Sequence, residues 1–480
     1  MKSRTLKQLL LYNYRYLFGY SIVFGFILFF LGWQLSNIGP GLSQAETNVA
    51  ARHLEFNAIK DMPVYPLHSI LQWVSLHVLG VSTLSIRLPS VVIALLVAFC
   101  LYHLMKRWFG KSTALLSTAV FISADWFLFI ARLSTGGIEF SLWLALALLC
   151  FIKLIENKNH WLLLYAITCS ALLFIPFGIY AVIALSASLL SYKAFRERIG
   201  ESSLLVKIPS IGIAVVGLGL CAFFSWHNHE FFKNILGVQM LPPVNEYLKN
   251  VFINTSAVAV VFPNGNPNIS PDGVFFVRFF ELIFMLFGVI MLWRTRINRL
   301  NLVVLITATI LALASGLSDG SRGGGLVLVP AAIFMTAGIR HLMHRWRRTF
   351  PKNPYARVAA FAPLSLLFVS VVALHYVSYF HVWPSRSATH LVFSRDLELA
   401  QKELRKREYQ DKHCFVETSD GALHQLLEAS NLPCKVRLSE TEATVSLLRP
   451  DNPAIAAATQ KHALVSEATN ASVRWVVVQN

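Results

Sequence analysis

Long apolar blocks separated by short polar stretches fill roughly the first four-fifths of the chain. Blocks of about 20 apolar residues are long enough for a helix to cross a bilayer. They fall near 17–36, 86–105, 113–131, 138–155, 160–176, 178–193, 208–226, 274–293, 300–318, 324–342 and 357–378. The pattern therefore predicts about eleven spans. Pro176 and Gly178 interrupt the stretch 160–193 and predict a tight turn between two short helices there. The block at 17–36 lacks a small-residue cleavage site and is followed by further spans, so it reads as a retained helix. From 379 onward the pattern becomes charged and periodic. Helices are predicted at 394–409 and 422–430, and strands at 413–417, 435–438, 463–466 and 473–478. The expected fold is an all-α polytopic membrane protein with a small C-terminal α/β domain. Its divisions are a basic N-terminus (1–16), a transmembrane domain (17–378) and the α/β unit (379–480).

Composition supports the bilayer as solvent. The 480 residues are 55% hydrophobic and 14% charged, against about 25% charged in an ordinary soluble chain. The formal net charge of +17 raises the question of nucleic acid. The cations, however, cluster in alternate loops: Lys2, Arg4, Lys7 and Arg15; Lys106, Arg107 and Lys111; Lys193, Arg196 and Arg198; Arg294, Arg296 and Arg299; and a final run from Arg340 to Arg357. That is the positive-inside pattern, so the charge is read as topology and no nucleic-acid partner is expected. The N-terminus is then cytoplasmic in a plasma (inner) membrane, and the long loops 37–85 and 227–273 lie outside with the C-terminal unit. Cys414 and Cys434 both fall in that unit, where an extracytoplasmic setting permits a disulfide; two unrelated thiols are the other reading.

Several side chains carry possible chemistry. Glu46 stands just past the first block, where a carboxylate is placed to act as a base; with Ser43 it also fits an S-x-x-E capping box. Asp125 lies inside an apolar block, which marks it as a functional candidate, and Arg132 is spaced to pair with it on one helical face. His227 and His229, with Glu230, could hold a divalent metal, but no second cluster with ligand spacing supports it.

Tyr65-Pro-Leu-His68, Leu79-Gly-Val-Ser82, Ile86-Arg-Leu-Pro-Ser90, Arg107-Trp-Phe-Gly-Lys111 and Ala131-Arg-Leu-Ser-Thr135 occur in an order and spacing that resembles the membrane glycosyltransferases of the GT-C architecture. That class includes protein O-mannosyltransferases and aminoarabinose transferases, and it uses polyprenyl-phosphate sugars as donors. The resemblance covers about the first third of the chain. It implies an acidic residue in the first outer loop acting on the acceptor, usually within an Asp-Glu pair; this chain has Ala45-Glu46. Glu46 is the base that the resemblance leaves. A second family acid aligns with Gly137, with Glu139 two residues on, and Arg87 matches a family position that equally suits an interface anchor. For the departing phosphate the resemblance points to Arg132 and to Arg322, in the glycine-rich turn 318–325 that also holds Asp319. Snorkelling arginine on a flexible turn is the alternative for Arg322.

The function expected is transfer of a sugar from a polyprenyl-phosphate carrier to a hydroxyl on a lipid, glycan or protein at the outer face, among membrane lipids. A non-catalytic scaffold or sugar-lipid binder is the second reading, because the Asp is missing. A transporter or flippase is the third; it predicts repeated halves and charged, broken helices at the midplane, which the pattern does not show.

Overall fold

The computed structural model describes residues 21–36, 41–156, 159–191, 193–237, 242–256, 275–295, 299–317, 325–349, 354–406, 409–418, 420–437, 445–448, 460–466 and 473–479. A first apolar helix, α1 (Ser21–Gly32), leads to the first long loop. That loop is folded: a two-residue strand β1 (Leu42–Ser43) runs into α2 (Gln44–Arg52), then α3 (Phe56–Asp61) and α4 (Pro66–Leu79). The bundle continues with α5 (Thr83–Phe109), α6 (Lys111–Ser123), α7 (Asp125–Arg132), α8 (Gly137–Ile155), α9 (Trp161–Leu172), α10 (Gly178–Ser191), α11 (Lys193–Glu201) and α12 (Leu204–His227). In the second long loop lie α13 (His229–Leu236) and α14 (Val244–Ser256). After them come α15 (Phe275–Arg294), α16 (Arg299–Ser315), α17 (Leu328–Thr349) and α18 (Pro354–Val377).

The chain is a helical, multi-pass membrane protein. Among the described residues four helices are long and apolar enough to cross a membrane, or five if the bent pair α6–α7 is one span. The expected eleven are therefore not all of spanning length; α1, α9, α10 and part of α16 are apolar but shorter. The turn predicted at Pro176–Gly178 is present, with Phe177 at φ +64 and its amide bonded to the Ile235 carbonyl of α13. Gly178 is required there: a Cβ would lie 1.7 Å from the Leu172 carbonyl oxygen.

The bend between α6 and α7 is 68° and sits in a buried polar network. Asp125 accepts from the Trp126 amide (2.8 Å) and the Ser378 hydroxyl (2.9 Å). The Trp126 indole donates to Glu281 of α15 (3.0 Å), which contacts His375 of α18 at 3.2 Å. Glu281 is a fully buried acid that the hydropathy pattern hides inside an apolar block.

After α18 the chain returns to the first loop. Strand β2 (Phe393–Ser394) pairs antiparallel with β1. Then follow α19 (Asp396–Leu404), β3 (His413–Val416), α20 (Gly421–Glu428), β4 (Lys435–Val436), β5 (Val445–Leu448), β6 (Gln460–Ser466) and β7 (Val473–Gln479). The sheet order is β4-β3-β5-β7-β6, with β3 parallel to both β4 and β5 and the remaining pairs antiparallel. These described residues form an α/β unit. Cys414 and Cys434 are buried side by side as free thiols; the neighbouring Cys434 sulfur and burial push the Cys414 thiol up. The α/β unit shares one hydrophobic core with the first loop: Leu42, Ala50, Leu76 and Ile86 pack with Leu397, Leu423 and Trp475. First loop and C-terminal unit are one folded body at one end of the bundle.

Candidate functional site

Glu46 lies at the centre of that body. The expected capping box is formed: the Glu46 amide donates to Ser43 Oγ (3.3 Å), and Glu46 Oε2 accepts from the Ser43 amide (3.0 Å). Arg87, in the first turns of α5, grips the same carboxylate with two parallel bonds, Nε to Oε1 at 2.9 Å and Nη2 to Oε2 at 3.0 Å. Its Nη2 also donates to the Gly41 carbonyl (2.6 Å), and the Ser134 amide donates to Oε1 (3.1 Å). With the Ser43 hydroxyl at 3.2 Å, five donors surround a carboxylate of zero exposure. Such a group is tied by charge-assisted bonds and has no free face for a substrate proton. Glu46 thereby ties β1, α2, α5 and the segment before α8 together.

Other expected residues are held by neighbouring groups. Arg132 was expected at the donor phosphate, yet its guanidinium donates to the Phe30 and Trp33 carbonyls at the end of α1 (3.1 and 2.8 Å) and lies over the Tyr379 and Phe380 rings. These bonds also take the place of the pairing expected with Asp125, which accepts from the Trp126 amide and the Ser378 hydroxyl instead. Glu139 accepts from the Leu67 and His68 amides (3.2 and 2.8 Å) and the Trp143 indole (2.9 Å). It serves as the N-cap of α4 from another helix, because Tyr65 at the cap position is left-handed (φ +53) and supplies no side-chain cap. His227 bonds its own helix at Phe223 (3.0 Å), and Asn228 caps α13, which His229 begins. Among the described residues no group of three His, Cys, Asp or Glu is placed to hold a metal. Arg322 and Asp319 lie outside the described residues.

Two cavities meet beside Glu46. The first, of about 180 Å³, is lined by Ala45, Arg52, His53, Tyr65 and His68, and by Asn234 and Gly325 from the far side. The second, of about 820 Å³, lies under the α/β unit, with Ser43, Gln44 and Asn48 facing Ser394, Asp396 and Asp420. Ala45, Leu133 and Thr135 line both. Ala45 thus stands at the partition between the two spaces. Sequence reasoning gives His68 a place in the 65–68 stretch without a role, and passes over Arg52 and His53.

The two histidines belong to one buried network. Gln72 of α4 donates from Nε2 to the Ile86 carbonyl (3.1 Å) and to Ser134 Oγ (2.6 Å). Its Oε1 lies 2.5 Å from His53 Nδ1. His68 Nε2 contacts Ser90 Oγ (3.1 Å), while its Nδ1 has no partner although fully buried on the first cavity. Burial pushes His53 down to about 4, helped by nearby Arg52 and opposed by the Gln72 bond. Burial, with His53 as neighbour, takes His68 to about 3. Both imidazoles are neutral near pH 7.

Residues 61–226 match the family model of dolichyl-phosphate-mannose-protein mannosyltransferases. The structure superposes on ArnT from Cupriavidus metallidurans in the apo state over 97% of this chain and 98% of that one, with a TM-score of 0.58 at 15% identity. The chain has the GT-C fold. The undecaprenyl-phosphate-bound form of that ArnT matches over the same shares at a TM-score of 0.56. The oligosaccharyltransferase of Archaeoglobus fulgidus is similar over 88% of this chain and 64% of that one, at 13% identity and a TM-score of 0.49. No curated protein matches the sequence. In this GT-C chain the matched segment starts at the end of α3 and runs through α4 to α12, so it holds His68, Arg87 and Glu139 but not Glu46 or His53.

Proposed function

We propose that this chain is a membrane glycosyltransferase that takes a sugar from a polyprenyl-phosphate donor and passes it to a hydroxyl acceptor at the non-cytoplasmic face. The observation that carries the reading is the pair of cavities joined at Ala45, one walled by the bundle and one by the α/β unit. A transferase must bring a lipid-borne donor and a separate acceptor to one point, and two converging spaces suit that task. Donor binding in the first cavity is supported by the undecaprenyl phosphate that the similar ArnT binds. Arg52 is the described cation on that cavity, and its charge would offset the phosphate released. Arg322, shortly before the cavity-lining Gly325 in the chain, is the proposed second phosphate contact. The acceptor would enter from the second, more polar cavity. Glu46 and Arg87 would act by holding the partition in place.

The missing acid at Ala45 favours one other reading, a non-catalytic binder of lipid-linked sugar. Reconstituted protein supplied with a panel of polyprenyl-phosphate sugars separates the two: release of polyprenyl phosphate coupled to glycosylated product is expected. A chain that binds undecaprenyl phosphate but transfers from no donor is the binder. Arg52→Ala is expected to weaken undecaprenyl phosphate binding about tenfold or more, the loss of one charge-assisted contact. Unchanged binding would remove Arg52 from the donor site.

A further inference from the structure

We infer that His53 is the proton acceptor in this site, its Nε2 taking the hydroxyl proton of the acceptor where a GT-C relative would use an acid at the position of Ala45. The inference rests on the transferase reading above.

The tautomer follows from the hydrogen bonds. Both N–H groups of Gln72 are spent, one on the Ile86 carbonyl, which can only accept, and one on Ser134 Oγ. Ser134 Oγ itself donates to the Ile86 carbonyl (2.6 Å), so it must accept from Gln72. Gln72 Oε1 is then an acceptor, and the 2.5 Å contact requires His53 Nδ1 to carry the proton. In the neutral ring the lone pair is on Nε2. His53 and Ala45 line the same cavity, so that lone pair and the empty acid position serve one space. Orientation of an imidazole through Nδ1–H is how a histidine base is commonly held.

Proton affinity fits as well. The charged and titratable neighbours of His53 are Arg52 on its own element and His68 across on α4. With burial they bring it to about 4, the range of an ordinary carboxylate. A buried histidine here is about as basic as the Asp it would replace. In the step, the acceptor oxygen forms a bond to the anomeric carbon as that carbon's bond to the phosphate oxygen breaks. The acceptor proton passes to His53 Nε2, and the bonding pair leaves on polyprenyl phosphate. The imidazolium then returns its proton to water.

The test uses the full chain in proteoliposomes. His53→Asn keeps a donor for Gln72 Oε1 and removes Nε2, so the fold is retained; transfer is expected to fall about a hundredfold, within the range for loss of a general base. His53→Gly is expected to regain transfer on adding imidazole, which a purely structural histidine would not allow. Transfer by His53→Asn within threefold of the unmutated chain, or no regain of transfer by His53→Gly with imidazole, overturns the inference and leaves the transferase reading intact. No transfer by the unmutated chain with any donor overturns both.

Discussion

Glu46 and Arg87 form a buried ion pair with two parallel bonds. Both are buried, at 0% and 4% exposure, and each would be costly alone. Removing one partner of such a pair strands the other, so Glu46→Gln and Arg87→Ala are each expected to cost about 3–5 kcal/mol, read from thermal unfolding in detergent. The Glu46→Gln/Arg87→Met double variant should recover much of that loss, because the stranded charge is gone. A base role for Glu46 would instead leave stability intact and abolish transfer. The first cavity offers a second check. If His53 replaces the acid missing at Ala45, then Ala45→Asp in the His53→Asn background should restore transfer at least tenfold, since both positions open on one space. Stability should also depend on pH in a stated direction. His53 and His68 bind protons in the unfolded state from about 6.5 but in the folded state only near 4 and 3. The unfolded chain therefore holds more protons between those values, and unfolding free energy falls as pH drops below 6.5, by up to about 1.4 kcal/mol per unit for each ring. Replacing either ring by Asn should flatten that slope.

At the scale of elements, apolar periodicity finds most helices but cannot give their lengths as built. The block predicted at 113–131 is two helices bent by 68°, and at the break Asp125 accepts from the Trp126 amide and the Ser378 hydroxyl. The sequence marks Asp125 out as an ionisable residue in a span, yet its hydroxyl partner, Ser378, stands just past α18, far away in sequence. Glu139 illustrates the same limit. Its neighbourhood to α8 is legible, but its bonds run to the first amides of α4, which no local pattern reveals. Because those amides would otherwise be buried donors without acceptors, Glu139→Ala is expected to cost about 1–3 kcal/mol in unfolding experiments and to loosen His68, whose amide it holds. A Glu139→Gln variant, which keeps one acceptor oxygen, should lose less; equal losses would show that charge rather than capping matters.

Across the whole molecule, the α/β unit is readable as a unit, whereas its union with the first loop is not. Charge, periodicity and the change of character at 379 mark it off as a separate domain. The structure instead gives it a common core with α2 and α4, because Leu42, Ala50 and Leu76 bury their apolar side chains against it. Polar contacts add to that core: β1 and β2 pair through two residues each, Thr47 Oγ1 donates to Asp420 (3.2 Å), and Gln401 donates to the Val81 carbonyl (3.0 Å). Gly41 makes the approach possible. Its φ is +112, and a Cβ there would stand 1.8 Å from the Ser394 carbonyl oxygen, a backbone atom that cannot swing aside. Gly41→Ala should therefore part β1 from β2 and disturb the Arg87 bond to the Gly41 carbonyl. The second cavity has one wall on each side of this joint, so the proposed acceptor route should open with it. Limited proteolysis is the direct measurement: the variant should be cut near 37–41 and 386–396 faster than the unmutated chain, with transfer reduced and undecaprenyl phosphate binding in the first cavity largely kept. Loss of donor binding to the same extent as transfer would mean that the two cavities are not separable, and that the α/β unit supports the bundle as a whole.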